Sequence, residues 1–117
     1  MAYDEHLAGR IRELLAERTD VTEKKMFGGL AFLVGGHMTI TASGQGGVLV
    51  RVDPDSADEP VARGQAEVAV MRGRPMTGWL RVGTEHLRTK RQLDRWVQSA
   101  LAHVETLPPK TPARRPR

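Results

Sequence analysis

Cysteine is absent from the sequence, which excludes disulfides, thiolate metal sites and a cysteine nucleophile. Such a chain needs no oxidising compartment, and a cytoplasmic location is expected. Aromatic residues are scarce, at 4%, so aliphatic side chains must fill most of any core. Long apolar runs are missing too. The longest, over residues 30–34, is far too short to span a bilayer. The start, Met1-Ala2-Tyr3-Asp4-Glu5-His6, has no basic stretch followed by an apolar one. Neither a secretion signal nor a membrane contact is therefore expected.

The 117 residues fall in the size range of a single domain, with 39% hydrophobic and 27% charged residues, the balance of a globular protein. The formal net charge of +4 is unevenly placed. Lys110, Arg114, Arg115 and Arg117 lie in an acid-free, proline-rich segment that is expected to form a disordered basic tail over residues 108–117. Without those four, 14 Lys and Arg remain against 14 acids, so the folded body, residues 1–107, is neutral. Within it, residues 72–95 are locally cationic and residues 53–67 locally anionic, which predicts a bipolar surface.

Leu7, Ile11, Leu14 and Leu15 recur at helical spacing and predict a first helix over residues 3–17. Residues 30–34 form an apolar run, and Gly35-Gly36 suits a two-residue hairpin turn. His37-Met38-Thr39-Ile40-Thr41-Ala42 then alternates with Met38, Ile40 and Ala42 inward, and Val48, Val50 and Val52 alternate after a glycine turn. These three strands read as an antiparallel meander with one wet face. Ser56 and Glu59 have capping-box spacing for a short helix that Gly64 stops. Residues 66–71 and 79–82 read as two further strands, and residues 72–78 as a loop too rich in Gly and Pro for regular structure. Thr89-Lys90-Arg91-Gln92 is a second capping box, and Leu93, Trp96, Val97, Ala100, Leu101 and Val104 mark the apolar face of a last helix that Pro108-Pro109 ends. The expected architecture is a two-layer α+β domain. Its order is α-β-β-β-α-β-β-α, with a roughly five-stranded, mainly antiparallel sheet and helices on one face.

The pieces Lys24-Lys25-Met26-Phe27-Gly28-Gly29, Ala31-Phe32-Leu33-Val34-Gly35-Gly36-His37-Met38, Val50-Arg51-Val52 and Gly73-Arg74-Pro75-Met76-Thr77-Gly78-Trp79 stand in that order, followed by Trp96-Val97 and Leu107-Pro108-Pro109-Lys110. Together they resemble the TfoX (Sxy) N-terminal domain family, from the first helix to Lys110. The resemblance implies a two-layer fold related to secretion chaperones. It also implies kinship with bacterial regulators of natural competence that act as transcriptional co-activators. Those regulators carry a further helical domain after this one, so a stand-alone N-terminal-type domain is expected here.

The best functional candidate is the loop at 72–79, where Arg72 and Arg74 stand beside Pro, Met and Trp. Guanidiniums there could fork onto phosphate or carboxylate. Equally, the loop could be shaped by Pro75 and the glycines, with Met76 and Trp79 packed beneath. Trp79 and Trp96 are both expected in the core. Arg88, Lys90, Arg91 and Arg95 surround the start of the last helix, where positive charge opposes the helix dipole and gains nothing locally. They suit DNA phosphates or a plain solvated face. The candidate binding surface is therefore Arg72, Arg74, Arg88, Lys90 and Arg91, with the tail at 110–117 adding non-specific phosphate contacts. Lys24 to Gly29 reads either as a binding rim or as a β-bulge that sends Phe27 into the core.

Catalytic, cofactor and metal sites are not expected. The glycine pairs fit neither phosphate-loop nor dinucleotide spacing. The four histidines have no ligand spacing, Asp53, Asp55 and Asp58 miss the calcium-loop pattern, and no serine lies in a nucleophile motif. The leading expectation is a non-catalytic regulatory binding module that makes protein contacts and a weak DNA contact. The alternative is a dimeric scaffold or chaperone-like protein-interaction domain with no nucleic-acid role.

Overall fold

The clearest helix signal in the sequence becomes the longest helix of the structure. In the computed structural model, which describes residues 3–26 and 28–108, helix α3 spans Lys90–Val104. Thr89 accepts from the Gln92 N–H, and the Gln92 side chain accepts from the Thr89 N–H, each at 3.0 Å. This reciprocal cap satisfies two amides the helix cannot bond itself. Leu93, Val97, Ala100, Leu101 and Val104 are buried beneath it. Helix α1, Glu5–Leu14, starts at Asp4, whose carboxylate accepts from the His6 and Leu7 N–H groups. It is shorter than its apolar stripe predicts. The chain leaves the helix at Leu15 (φ −102°, ψ 7°), yet the Leu15 side chain still reaches the core.

Among the described residues, six strands form one antiparallel sheet: β1 Val21–Met26, β2 Gly29–Val34, β3 His37–Ala42, β4 Val48–Arg51, β5 Glu67–Met71 and β6 Arg74–Val82, in the order β1-β2-β3-β4-β6-β5. Helix α2, Asp58–Ala62, lies between β4 and β5. The class is α+β, as expected, but the count and order are corrected to α-β-β-β-β-α-β-β-α. The missed strand is β1. Its residues 22–25 are exposed, and as an edge strand it pairs on one side only, so it carries no alternating apolar signal.

The second correction concerns residues 72–78. Rather than a loop, they form a tight hairpin turn and the first half of β6. Pro75 is tolerated because it faces only the edge strand β5, opposite Val70. The β5–β6 register then jumps between Val68 and Val70. Gly78, at φ 86°, sits in that bulge, and its carbonyl accepts from the Val52 N–H at 2.8 Å.

Leu30, Phe32, Val34, Ile40, Ala42, Val48, Val50, Leu80 and Val82 face α1 and α3 and are buried. Val48, Val50 and Val52 thus point inward, as their alternation predicts. Met38 does not. A register shift between Phe32 and Leu33 pairs Met38 with Leu33 and His37 with Val34, so one extra β3 residue turns His37 toward the helices and Met38 away. His37 is buried there, and its Nε2–H donates to the Pro108 carbonyl at 2.6 Å, tying the segment after α3 to the sheet.

The short helix is also capped differently from its sequence pattern. Asp53, not Ser56, is the working cap: it accepts from the Asp55 N–H at 2.9 Å and starts a 3-10 turn, Pro54–Ser56. Helix α2 itself has no side-chain cap, and Gly64 at φ 75° ends the segment.

Candidate binding surface

Of the five candidate cations, three come together. Arg88 precedes the α3 cap, and Lys90 and Arg91 occupy its first turn, all exposed. A fourth joins them from a distant part of the chain. The Arg10 guanidinium of α1 donates to the Thr89 carbonyl at 3.2 Å and to the Arg88 carbonyl at 3.5 Å. Arg95 follows one turn along α3. Arg10 is 78 residues from Arg88 in sequence, so only folding makes it a neighbour.

Arg72 and Arg74 lie elsewhere. They flank Gly73 at the β5–β6 hairpin, whereas α3 begins just beyond the other end of β6. Against β5, Arg74 pairs Met71 and Arg81 pairs Glu67, so the two ends of β6 stand about 13 Å apart, and a 3-10 turn, Thr84–His86, then leads to α3. Of the five residues expected on the surface, Arg72 and Arg74 thus lie at the β5–β6 hairpin, and Arg88, Lys90 and Arg91 at the start of α3. The tail at 110–117 and Phe27 lie outside the described residues.

None of these cations is neutralised. Among the described residues, no carboxylate lies within 4.0 Å of Arg10, Arg72, Arg74, Arg88, Lys90, Arg91 or Arg95. Asp94, the acid nearest in sequence, instead accepts from the Gln98 amide at 3.2 Å. The contrast with the far end of α1 is sharp. Arg12 forks onto Glu23, and Arg18 joins Asp20 to Glu105. Hydrogen bonds from those guanidiniums hold the Glu23 and Asp20 carboxyls below their ordinary range.

Arg72 carries a further cost. Its φ is +54° and that of Gly73 +79°, the backbone of a two-residue turn that suits the right-handed twist of a hairpin. Gly or Asn adopts this conformation more cheaply. Arg72→Gly is expected to stabilise the fold by about 1 kcal/mol, measurable by urea denaturation, whereas Arg72→Ala should bring no such gain.

Trp79 departs from expectation. It neighbours the buried Leu80 and so stands on the helix-free face of the sheet, half-buried, with the Arg51 guanidinium 5.6 Å from its ring. Trp96 does pack against the core, half-buried, as its helical position predicts. It also lines a cleft of 470 Å³ between α3 and the 53–65 segment, with Leu80 and Val52 deep in it and Arg95 and Glu59 on its walls. Sequence reasoning missed this cleft because its two walls are far apart in the chain. The acids at 53–59 that suggested an anionic stretch serve largely as helix-start residues here, with Asp58 and Glu59 in the first turn of α2.

No helix of the described residues is long and apolar enough to cross a membrane. A comparison with curated proteins finds no match. Over residues 13–104 the sequence matches the family described as the TfoX N-terminal domain. That stretch takes in all six strands and runs from the last turn of α1 to the last residue of α3. Both the exposed α3 start and the β5–β6 hairpin fall within it, and the chain belongs to the TfoX N-terminal domain family.

Proposed function

We propose that this domain is a non-catalytic regulatory binding module of the cytoplasm, a transcriptional co-regulator that makes protein contacts and a weak, salt-dependent DNA contact. Family membership supports the regulatory reading. The DNA contact rests on one observation: the unneutralised cluster of Arg10, Arg88, Lys90 and Arg91 at the start of α3. Positive charge at a helix N-terminus opposes the dipole, so Arg88, Lys90 and Arg91 do not stabilise their own helix, while Arg10 also ties α1 to the α3 start. The cluster's use is external, to meet a polyanion.

The test is fluorescence anisotropy of labelled duplex DNA over a salt series. Each phosphate contact contributes about 0.9 to the slope of log affinity against log salt. Arg88→Ala, Lys90→Ala and Arg91→Ala together should lower that slope by about 2–3. Arg72→Ala with Arg74→Ala, at the β5–β6 hairpin, should lower it by at most about 2. The α3 triple variant should fold at least as stably as the parent, since alanine favours a helix and relieves the dipole conflict. Absence of binding at low salt, or a slope untouched by the triple substitution, would end the DNA part of this proposal.

A further inference from the structure

The two edges of the sheet are built differently. Edge strand β1 carries Glu23, Lys24 and Lys25, charges that discourage pairing with another chain. Edge strand β5 reads Glu67-Val68-Ala69-Val70-Met71 and has no proline and no cation. Its two valines are the exposed large hydrophobic residues of the described structure, Val68 at 38% and Val70 at 60%. An edge of this kind offers unpaired N–H and C=O groups together with apolar side chains.

We infer that β5 is a self-association surface, on which a second copy of this chain adds its own β5 antiparallel. The strand's charges select that occupant. With Ala69 on the two-fold axis, Val68 of each copy lies opposite Val70 of the other. Glu67 of each copy then lies opposite Met71 of the other, with Arg74 of that copy next along the same face, so an acid approaches an otherwise unneutralised cation at both ends. The pairing is isologous and joins two six-stranded sheets into one continuous sheet. A five-residue strand pair buries less than the roughly 800 Å² per partner of a standard interface, so the dimer is reversible. This inference gives a definite surface to the dimeric alternative and does not depend on the DNA contact, because β5 and the α3 start are separate.

Sedimentation velocity of the full chain over a protein concentration series tests it. The parent should shift from monomer toward dimer with rising concentration. Val70→Lys should raise the dissociation constant by about tenfold or more, with an unchanged far-ultraviolet spectrum and thermal midpoint. Glu67→Arg and Arg74→Glu should each weaken the dimer, and the double charge swap should restore it. A monomer at every concentration, or a dimer that Val70→Lys leaves intact, would overturn the inference. DNA binding by a monomeric Val70→Lys variant would leave the proposed function standing while this surface alone was judged.

Discussion

Phe32→Ala is expected to cost about 3–5 kcal/mol of folding stability, read as a lower urea midpoint at an unchanged slope. Phe32 is fully buried and the largest of the fully buried side chains. It lies in β2 opposite Glu23 of β1 and Ile40 of β3, so it anchors three strands at one level of the core. The sequence has few large side chains with which to fill the hole, since Trp79 stands on the other face and Trp96 lies at the cleft. A cavity that cannot collapse adds its own cost to the lost transfer energy. Arg12 lies 6.0 Å from the ring while it holds Glu23, so the same change also removes the platform beneath that exposed pair. Phe32→Leu keeps most of the volume and should cost under about 1.5 kcal/mol. A loss below about 1 kcal/mol for Phe32→Ala would mean that β2 is not the centre of the core.

The elements legible in the sequence are those whose signal is local. Helix α3 combines a capping box with an apolar stripe, and both describe the structure. Strand β2 is a continuous apolar run and β3 and β4 alternate, divided by glycine turns, so the inward faces of β3 and β4 are readable except at Met38, where a bulge inverts the pattern. Strand β1 was illegible because an exposed edge needs no apolar alternation. The first half of β6 was illegible because Pro75 and Gly78, which argue against a strand, are admitted by the edge position of β5 and by the bulge. Edge position is a property of strand order, and strand order is tertiary. For that reason Val68 and Val70 read only as β-prone residues. The candidate cations divide in the same way. Arg88, Lys90 and Arg91 are neighbours in sequence and remain so in space. Arg10 arrives from another helix, and Arg72 and Arg74 stand at the other end of β6.

Gly47→Ala is expected to cost about 2–4 kcal/mol, far more than its place at the end of a glycine turn suggests. Two requirements meet at this residue. Its φ is +69°, which any L side chain adopts under strain. A Cβ there would also press on the Val82 carbonyl oxygen and come within 3.2 Å of Gly83 Cα. Those are backbone atoms, so no side chain can swing aside. The chain must instead shift where Val48 pairs with Val82, the last rung between β4 and β6, and where the Gly47 carbonyl accepts from the Ser43 N–H at 3.0 Å. Gly35 supplies the control. Its φ is +60°, but a Cβ there meets nothing within 4 Å. Gly35→Ala should therefore show only the backbone strain, about 1 kcal/mol, and the difference between the two variants isolates the close approach of β4 to β6. Equal losses would show that Val82 yields easily. A large difference would mean that the end of β6, from which the chain passes through Gly83 and Leu87 to Arg88, is held firmly enough to fix where the α3 cations project.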